Sequence, residues 1–163
     1  MCWALPTIWN LLLTTIVAST AHKSIACDLQ FTKGNHKFKG SSKILSLEGS
    51  VPQNMFGVDK CFIGFSGNAS AWGTIVSFFA LGAEGNPPKC KNIEFLMLTD
   101  KNHIHHSLDL RNWMYIPEKH FAIGSGSDFA IGAMSAGSTP KEAVILASKH
   151  DIHTGLGCKV YSI

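Results

Sequence analysis

Apolar residues in this chain recur at two spacings, and the points where the spacing changes divide it into elements. Short apolar or alternating runs between polar turns mark strands, and recurrence every three or four residues marks helices. A first strand begins at Thr14 and runs through Ile16-Val17-Ala18; the polar turn 20–23 separates it from a second, 24–27. Residues 31–47 alternate loosely and contain Gly34-Asn35 and Gly40-Ser41-Ser42, which predicts loop and short strand leading into Lys43-Ile44-Leu45. A strand is predicted over 58–65, ending at Gly64-Phe65-Ser66-Gly67. Asn68 then supplies an N-cap for a helix over 69–81, with Trp72, Ile75, Val76 and Phe79 at helical spacing. Residues 82–88 end it.

Two alternating runs, 93–98 and 103–110, flank the polar turn Thr99-Asp100-Lys101-Asn102 and predict a hairpin. Ile104, Leu108 and Leu110 are expected on one face, with His103, His105 and Asp109 on the other. His103, His105 and His106 invite a metal reading, but no Asp, Glu or Cys pattern completes a ligand set, so no metal is expected. A helix is predicted from Ser127 or Asp128 through Met134, with Gly137 in the C′ position. Thr139-Pro140-Lys141-Glu142 is a capping box with proline at the first helical position, opening a helix to about Lys149 that packs against its predecessor. Residues 151–155 form a turn and 158–163 a closing strand. This order predicts an α+β fold, a four-layer αββα sandwich of two facing, mostly antiparallel sheets.

The 163 residues suffice for one core that buries roughly two-thirds of the unfolded surface, so no second domain is needed. A net charge of only +3, with lysines scattered through turns, gives no basic stripe for a phosphate backbone and excludes nucleic acid as the expected partner. The five cysteines, an odd number with no C-x-x-C pair, fit reduced thiols and a cytoplasmic setting better than a disulfide framework or a zinc site. Residues 1–21 admit three readings. As a secretory signal they have an apolar centre and a small-residue exit but no positive start. As a membrane span they are broken by Asn10, Thr14, Thr15 and the nearby Pro6. The preferred reading makes residues 1–13 a leader or extended start, ahead of a domain over 14–163.

Taken singly, the polar residues around these elements have ordinary roles. Thr14 and Thr15 are good strand formers, Asp28 and Lys43 could be a surface ion pair, and Gly124-Ser125-Gly126 could cap a helix. Their joint order is more specific. Thr14-Thr-Ile-Val-Ala, Ala26-Cys-Asp28, Lys43-Ile44, Gly64-Phe-Ser-Gly67, Phe121-Ala-Ile-Gly-Ser-Gly, Gly132-Ala-Met-Ser-Ala-Gly137, Ala147-Ser-Lys-His-Asp151 and Thr154-Gly155 follow one another as in a known family. Over residues 14–163 the chain resembles the N-terminal nucleophile (Ntn) hydrolases, specifically the proteasome β-subunit and HslV-type peptidases, and among them small phage-encoded members.

The resemblance implies a threonine peptidase without a cofactor. Thr14, once N-terminal, would be the nucleophile, its own α-amine with a pKa of about 7.7 to 8 serving as base. Lys43 would lower the pKa of the hydroxyl, Asp28 would hold the ammonium, and Ser125 would orient the amine or its water. Asp151 and Thr154 would support Ser125, and the Gly67 N–H would donate to the oxyanion. The expected partners are a peptide or unfolded protein as substrate, further copies of the chain in a homo-oligomer and an unfoldase, with no membrane. Leu13 departs from the pattern, because self-maturing members place glycine before the threonine. Three fates follow: cleavage by another protease, a start further downstream, or an inactive scaffold serving as a structural or interaction protein, such as a phage accessory or virion component.

Overall fold

The computed structural model describes residues 11–12, 14–33 and 36–163. Most of the expected leader, residues 1–10 and 13, lies outside them, as does the Gly34-Asn35 turn. The described residues form twelve strands and four α-helices: β1 (Leu11–Leu12), β2 (Ile16–Ser19), β3 (Ser24–Asp28), β4 (Gln30–Lys33), β5 (His36–Lys39), β6 (Ile44–Glu48), α1 (Ser50–Phe56), β7 (Lys60–Asn68), α2 (Trp72–Ala80), β8 (Ile93–Thr99), β9 (Ile104–Ser107), β10 (Met114–Ile116), β11 (His120–Ile123), α3 (Ser127–Ser135), α4 (Pro140–His150) and β12 (Cys158–Ser162). One sheet runs β1-β7-β8-β9-β10, with β6 also pairing β7; the other runs β11-β2-β3-β12. Hairpin β4-β5 stands apart, and every pairing is antiparallel.

The period-two alternation of strand side chains sorts the apolar residues into three layers of core. Ile16, Ala18, Ile25 and Cys27 meet Phe62, Leu96, Leu98 and Ile104 between the sheets. Cys61, Ile63, Phe65, Phe95 and Met97 point outward to Ile75 and Phe79 of α2, while Val17 and Ala26 pack on Ala130, Ala133, Val144 and Ala147 of α3 and α4. Helices therefore cover opposite outer faces, and the αββα sandwich is the fold of this chain. At Gly64 a Cβ would stand 2.9 Å from Ile16 Cγ2, and its absence lets the two sheets close.

Helix punctuation follows the expected chemistry. Asn68 Oδ1 accepts from Ser70 N at 3.0 Å, opening a 3-10 turn, Ala69–Ala71, that leads into α2. Thr139 Oγ1 accepts from Glu142 N at 3.3 Å while Glu142 Oε2 accepts from Thr139 N at 2.8 Å, which completes the capping box of α4. Gly137 takes φ 98° just past α3.

The structure corrects four expectations. Where loop and short strand were expected over 31–47, two antiparallel strands, β4 and β5, precede β6. The strand expected over 58–65 continues to Asn68 because its later residues pair with β8 and β1. The hairpin strand expected over 103–110 stops at Ser107, whose Oγ accepts from Asp109 N and Leu110 N and turns the chain. Leu108 is consequently exposed, and Leu110 joins the α2-side cluster rather than the Ile104 face. Helix α1, flanked by Gly49 and Gly57, and strands β10 and β11 lie where the apolar pattern marks no element. Among the described residues no helix is long and apolar enough to cross a membrane.

Candidate active site

Seven residues named from the sequence sit on six separate segments. Thr14 precedes β2, Asp28 ends β3, Lys43 enters β6, Gly67 lies in β7, Ser125 joins β11 to α3, and Asp151 and Thr154 follow α4. The fold brings six of these side chains into two adjoining hydrogen-bonded groups at one end of the sheet interface. Thr14, Asp28 and Lys43 are fully buried.

The first group centres on Asp28. Lys43 Nζ donates to Asp28 Oδ1 at 2.8 Å and to Thr14 Oγ1 at 2.5 Å, and the Thr14 hydroxyl donates in turn to Asp28 Oδ1. The same oxygen accepts from Thr15 N at 3.0 Å, while Oδ2 accepts from Gln30 N at 3.0 Å and Gly155 N at 3.1 Å. A buried carboxylate needs this density of donors to offset lost hydration. Burial pushes the Lys43 amine below its ordinary value, opposed by the charge and hydrogen bond of Asp28, which hold it up. Lys43 is thus a less tightly protonated amine than a surface lysine, in contact with the threonine hydroxyl.

The second group supports the chain around Thr14. Asp151 Oδ2 accepts from Ser125 Oγ and Thr154 Oγ1, both at 2.6 Å, and Thr154 Oγ1 lies 2.7 Å from Thr15 Oγ1. Partial burial acts to raise the Asp151 carboxyl, but the hydrogen bonds from Ser125, Thr154 and the His153 backbone, with the charge of His153, outweigh it and hold the group below its ordinary value. Ser125 Oγ also reaches the Thr14 carbonyl at 3.5 Å. Gly124 and Gly126 make this approach possible, since a Cβ at Gly124 would stand 2.0 Å from Thr14 O and one at Gly126 2.1 Å from Thr15 Oγ1.

Gly67 pairs with Ile93 of β8 on one side and with Leu12 of β1, two residues ahead of Thr14, on the other. Its φ of 126° and the contact with Asn92 O that a Cβ would make restrict the position to glycine. Three further residues belong to the surroundings. Thr15 links the two groups, Ser66 faces the Gly124 turn with its Oγ 3.0 Å from where a Cβ there would stand, and the Phe31 ring centre lies 5.1 Å from Lys43 Nζ. Alternation along β7 puts Ser66 on the inward face with Phe62 and Gly64, so that placement was readable from the sequence; the Phe31 contact depends on an unmarked hairpin.

No group of three or more potential metal-ligating side chains occurs among the described residues. His103 and His105 instead pack edge-on against Tyr115. Together with Phe56 and Trp113 they line a cavity of about 410 Å³ on the outer face of the first sheet, lined by none of the residues around Thr14. Cys27 and Cys61 are buried and unpaired, and burial pushes both thiols up, Cys61 to about 12.

No protein-family model and no curated protein sequence matches this chain. Solved structures do. Thiobacillus denitrificans BPH, in complex with epoxomicin, is similar at 18% identity over 92% of this chain and 97% of that one, with a TM-score of 0.60. HslV from Trypanosoma brucei is similar at 16% identity over 91% and 98%, TM-score 0.64. The Anbu complex from Pseudomonas aeruginosa, solved as a helical assembly, is similar at 9% identity over 92% and 81%, TM-score 0.67. The chain has the Ntn-hydrolase fold shared by HslV and Anbu proteins. These neighbours are bacterial and trypanosomal, and the expected closeness to phage-encoded members finds no support among them.

Proposed function

We propose that this protein is a threonine-type peptidase whose nucleophile, Thr14, is armed by removal of residues 1–13. The reading rests above all on the fully buried Thr14-Lys43-Asp28 contact, in which one hydroxyl meets both an amine of lowered pKa and a carboxylate. Removal of the leader gives Thr14 a free α-amine. That amine takes the hydroxyl proton, directly or through a water held by Ser125, as Oγ attacks the peptide carbonyl carbon. Lys43 stabilises the developing alkoxide and the Gly67 N–H donates to the oxyanion. Collapse breaks the C–N bond, the proton passes to the leaving amine, and water then hydrolyses the threonine ester.

The likeness to Anbu, solved as a helical assembly, supports assembly of this chain with copies of itself. One observation favours a second reading, an inert scaffold. With residues 11–12 paired to β7, Thr14 is wholly buried and carries a peptide bond where the amine must be.

The test compares the full chain with a chain beginning at Thr14, using epoxomicin, the molecule bound in the similar BPH structure, and intact mass to locate any adduct. Labelling and peptide cleavage by the trimmed chain alone, both abolished by Thr14→Ala, support the peptidase. A trimmed chain that folds but does neither leaves the scaffold. Labelling of the untrimmed chain at Thr14 removes the α-amine from the mechanism.

A further inference from the structure

The cavity on the outer face of the first sheet takes no part in the chemistry around Thr14, and two kinds of side chain make its wall. Alternation along the β8-β9 hairpin turns Met97, Thr99, His103 and His105 to that face, with Met97 and His105 directly opposite in register. Phe56, the last residue of α1, and Trp113, just ahead of β10, add an aromatic wall, their rings edge-on with centres 5.5 Å apart. Trp113 Nε1 donates to Leu110 O at 3.1 Å, so the polar atom of the indole is already satisfied and its carbon surface is what remains for contact.

The other wall is polar and of one sign. Lys101 is exposed and its Nζ donates to Gly57 O at 2.7 Å, while the His103 and His105 rings lie 6.3 Å apart, both edge-on to Tyr115. His105 Nδ1 is buried and has no hydrogen-bond partner among the described residues, an uncommon state for a buried polar atom. No carboxylate from the described residues lines the cavity. Asp100, the acidic neighbour of Lys101, accepts instead from Asp59 N and Lys60 N, both at 3.1 Å. Burial and the charge of His103 push the His105 imidazole below its ordinary value, so a further positive charge is disfavoured there until an anion arrives.

We propose that this cavity binds a small aromatic carboxylate, with its ring against Phe56 and Trp113 and its carboxylate toward Lys101 and the two imidazoles. The volume of about 410 Å³ falls within the range of about 300–1,000 Å³ common to small-molecule sites. Aromatic edges and faces suit a planar ring better than a branched aliphatic body, and Lys101 repels a cation. A single carboxylate matches a wall with one permanent positive charge, whereas a phosphate dianion leaves charge unpaired beside apolar surface. The site needs the fold alone, so it stands or falls apart from the peptidase reading.

The full chain is titrated by calorimetry with cinnamate, with cinnamyl alcohol, which keeps the ring without the charge, and with cyclohexanepropionate, which keeps the charge without the aromatic ring. Cinnamate is expected to bind with a Kd of about 100 μM, and each of the other two about tenfold more weakly. Lys101→Gln, on an exposed residue, should bring cinnamate down to the affinity of the alcohol and leave alcohol binding unchanged. Trp113→Leu should weaken acid and alcohol alike, by about tenfold. Thermal melting checks that both variants keep the fold; if Trp113→Leu unfolds the chain, the two arms at Lys101 still decide. No saturable binding of cinnamate below about 1 mM, equal binding of either control, or a cinnamate affinity untouched by Lys101→Gln overturns the proposal.

Discussion

Two lysine–carboxylate pairs sit at opposite ends of β6 with nearly the same separation and opposite character. At its entrance Lys43 meets Asp28 at 2.8 Å with both side chains fully buried; at its exit Glu48 meets Lys60 at 2.7 Å with 63% and 36% exposed. Distance therefore says little about what either pair does. Water screens the outer pair and leaves it a small net contribution. The inner pair has lost its hydration, so each charge depends on the other and on the neighbouring donors, and the amine titrates below its ordinary range.

The contrast is broken most severely by removing one inner partner. Lys43→Met leaves the buried Asp28 without its ion-pair partner and short of a donor, and should cost about 3–5 kcal/mol in denaturant melts. In the trimmed chain Lys43→Ala should also lower the labelling rate far more than Lys39→Ala, since Lys39 is exposed. If Lys43→Met melts like the parent, Asp28 is held by its remaining donors, the Thr14 hydroxyl and the backbone N–H groups of Thr15, Gln30 and Gly155. Next in size, Ser125→Ala should slow labelling about 10- to 100-fold with little change in stability, because it acts through the position of Thr14.

Acid acts on the second hydrogen-bonded group of the site, around Asp151. The folded-state pKa of Asp151 is depressed, so near and below the ordinary carboxylate range the unfolded chain binds the extra proton. The stabilisation is present above about pH 4 and is lost as pH falls through the lowered value. Asp151→Asn should flatten that part of a stability–pH curve; an unchanged slope would remove Asp151 from the account. Thr139→Ala, which deletes a cap on an exposed turn, should cost about 1 kcal/mol. Smallest of all, Glu48→Ala or Lys60→Ala should change stability by less than about 1 kcal/mol, an effect that shrinks in salt. A larger loss would mean that exposure is a poor guide to the difference.

Much of this arrangement was readable before the fold. Elements with strong local punctuation, such as Asn68, the Thr139 box and Gly137, lie where the sequence places them, because their chemistry is complete within a few residues. Elements that depend on distant partners were missed. Hairpin β4-β5 has loose alternation because its two faces meet different surroundings, and β10 exists through its pairing with His106 to Ile104. Helix α1 has one buried residue, Pro52, and so no apolar period, although Gly57 ending it in the left-handed region was a usable sign. The polar groups were legible as a set from family order. That Thr15 bridges them was not, since nothing local distinguishes Thr15 from a strand residue.

The pairing of β1 with Gly67 and Asn68 gives a single cut two products. In the proposed peptidase, cleavage after Leu13 would create the amine and also free residues 11–12 to leave the edge of β7, whose N–H and C=O groups would then be open to any extended chain. In that reading, activity and stickiness would not be separately adjustable. A cell that arms it also acquires a surface that solicits strands, so the armed form is best made where substrate is plentiful or where sister copies wall the edge off from the crowd.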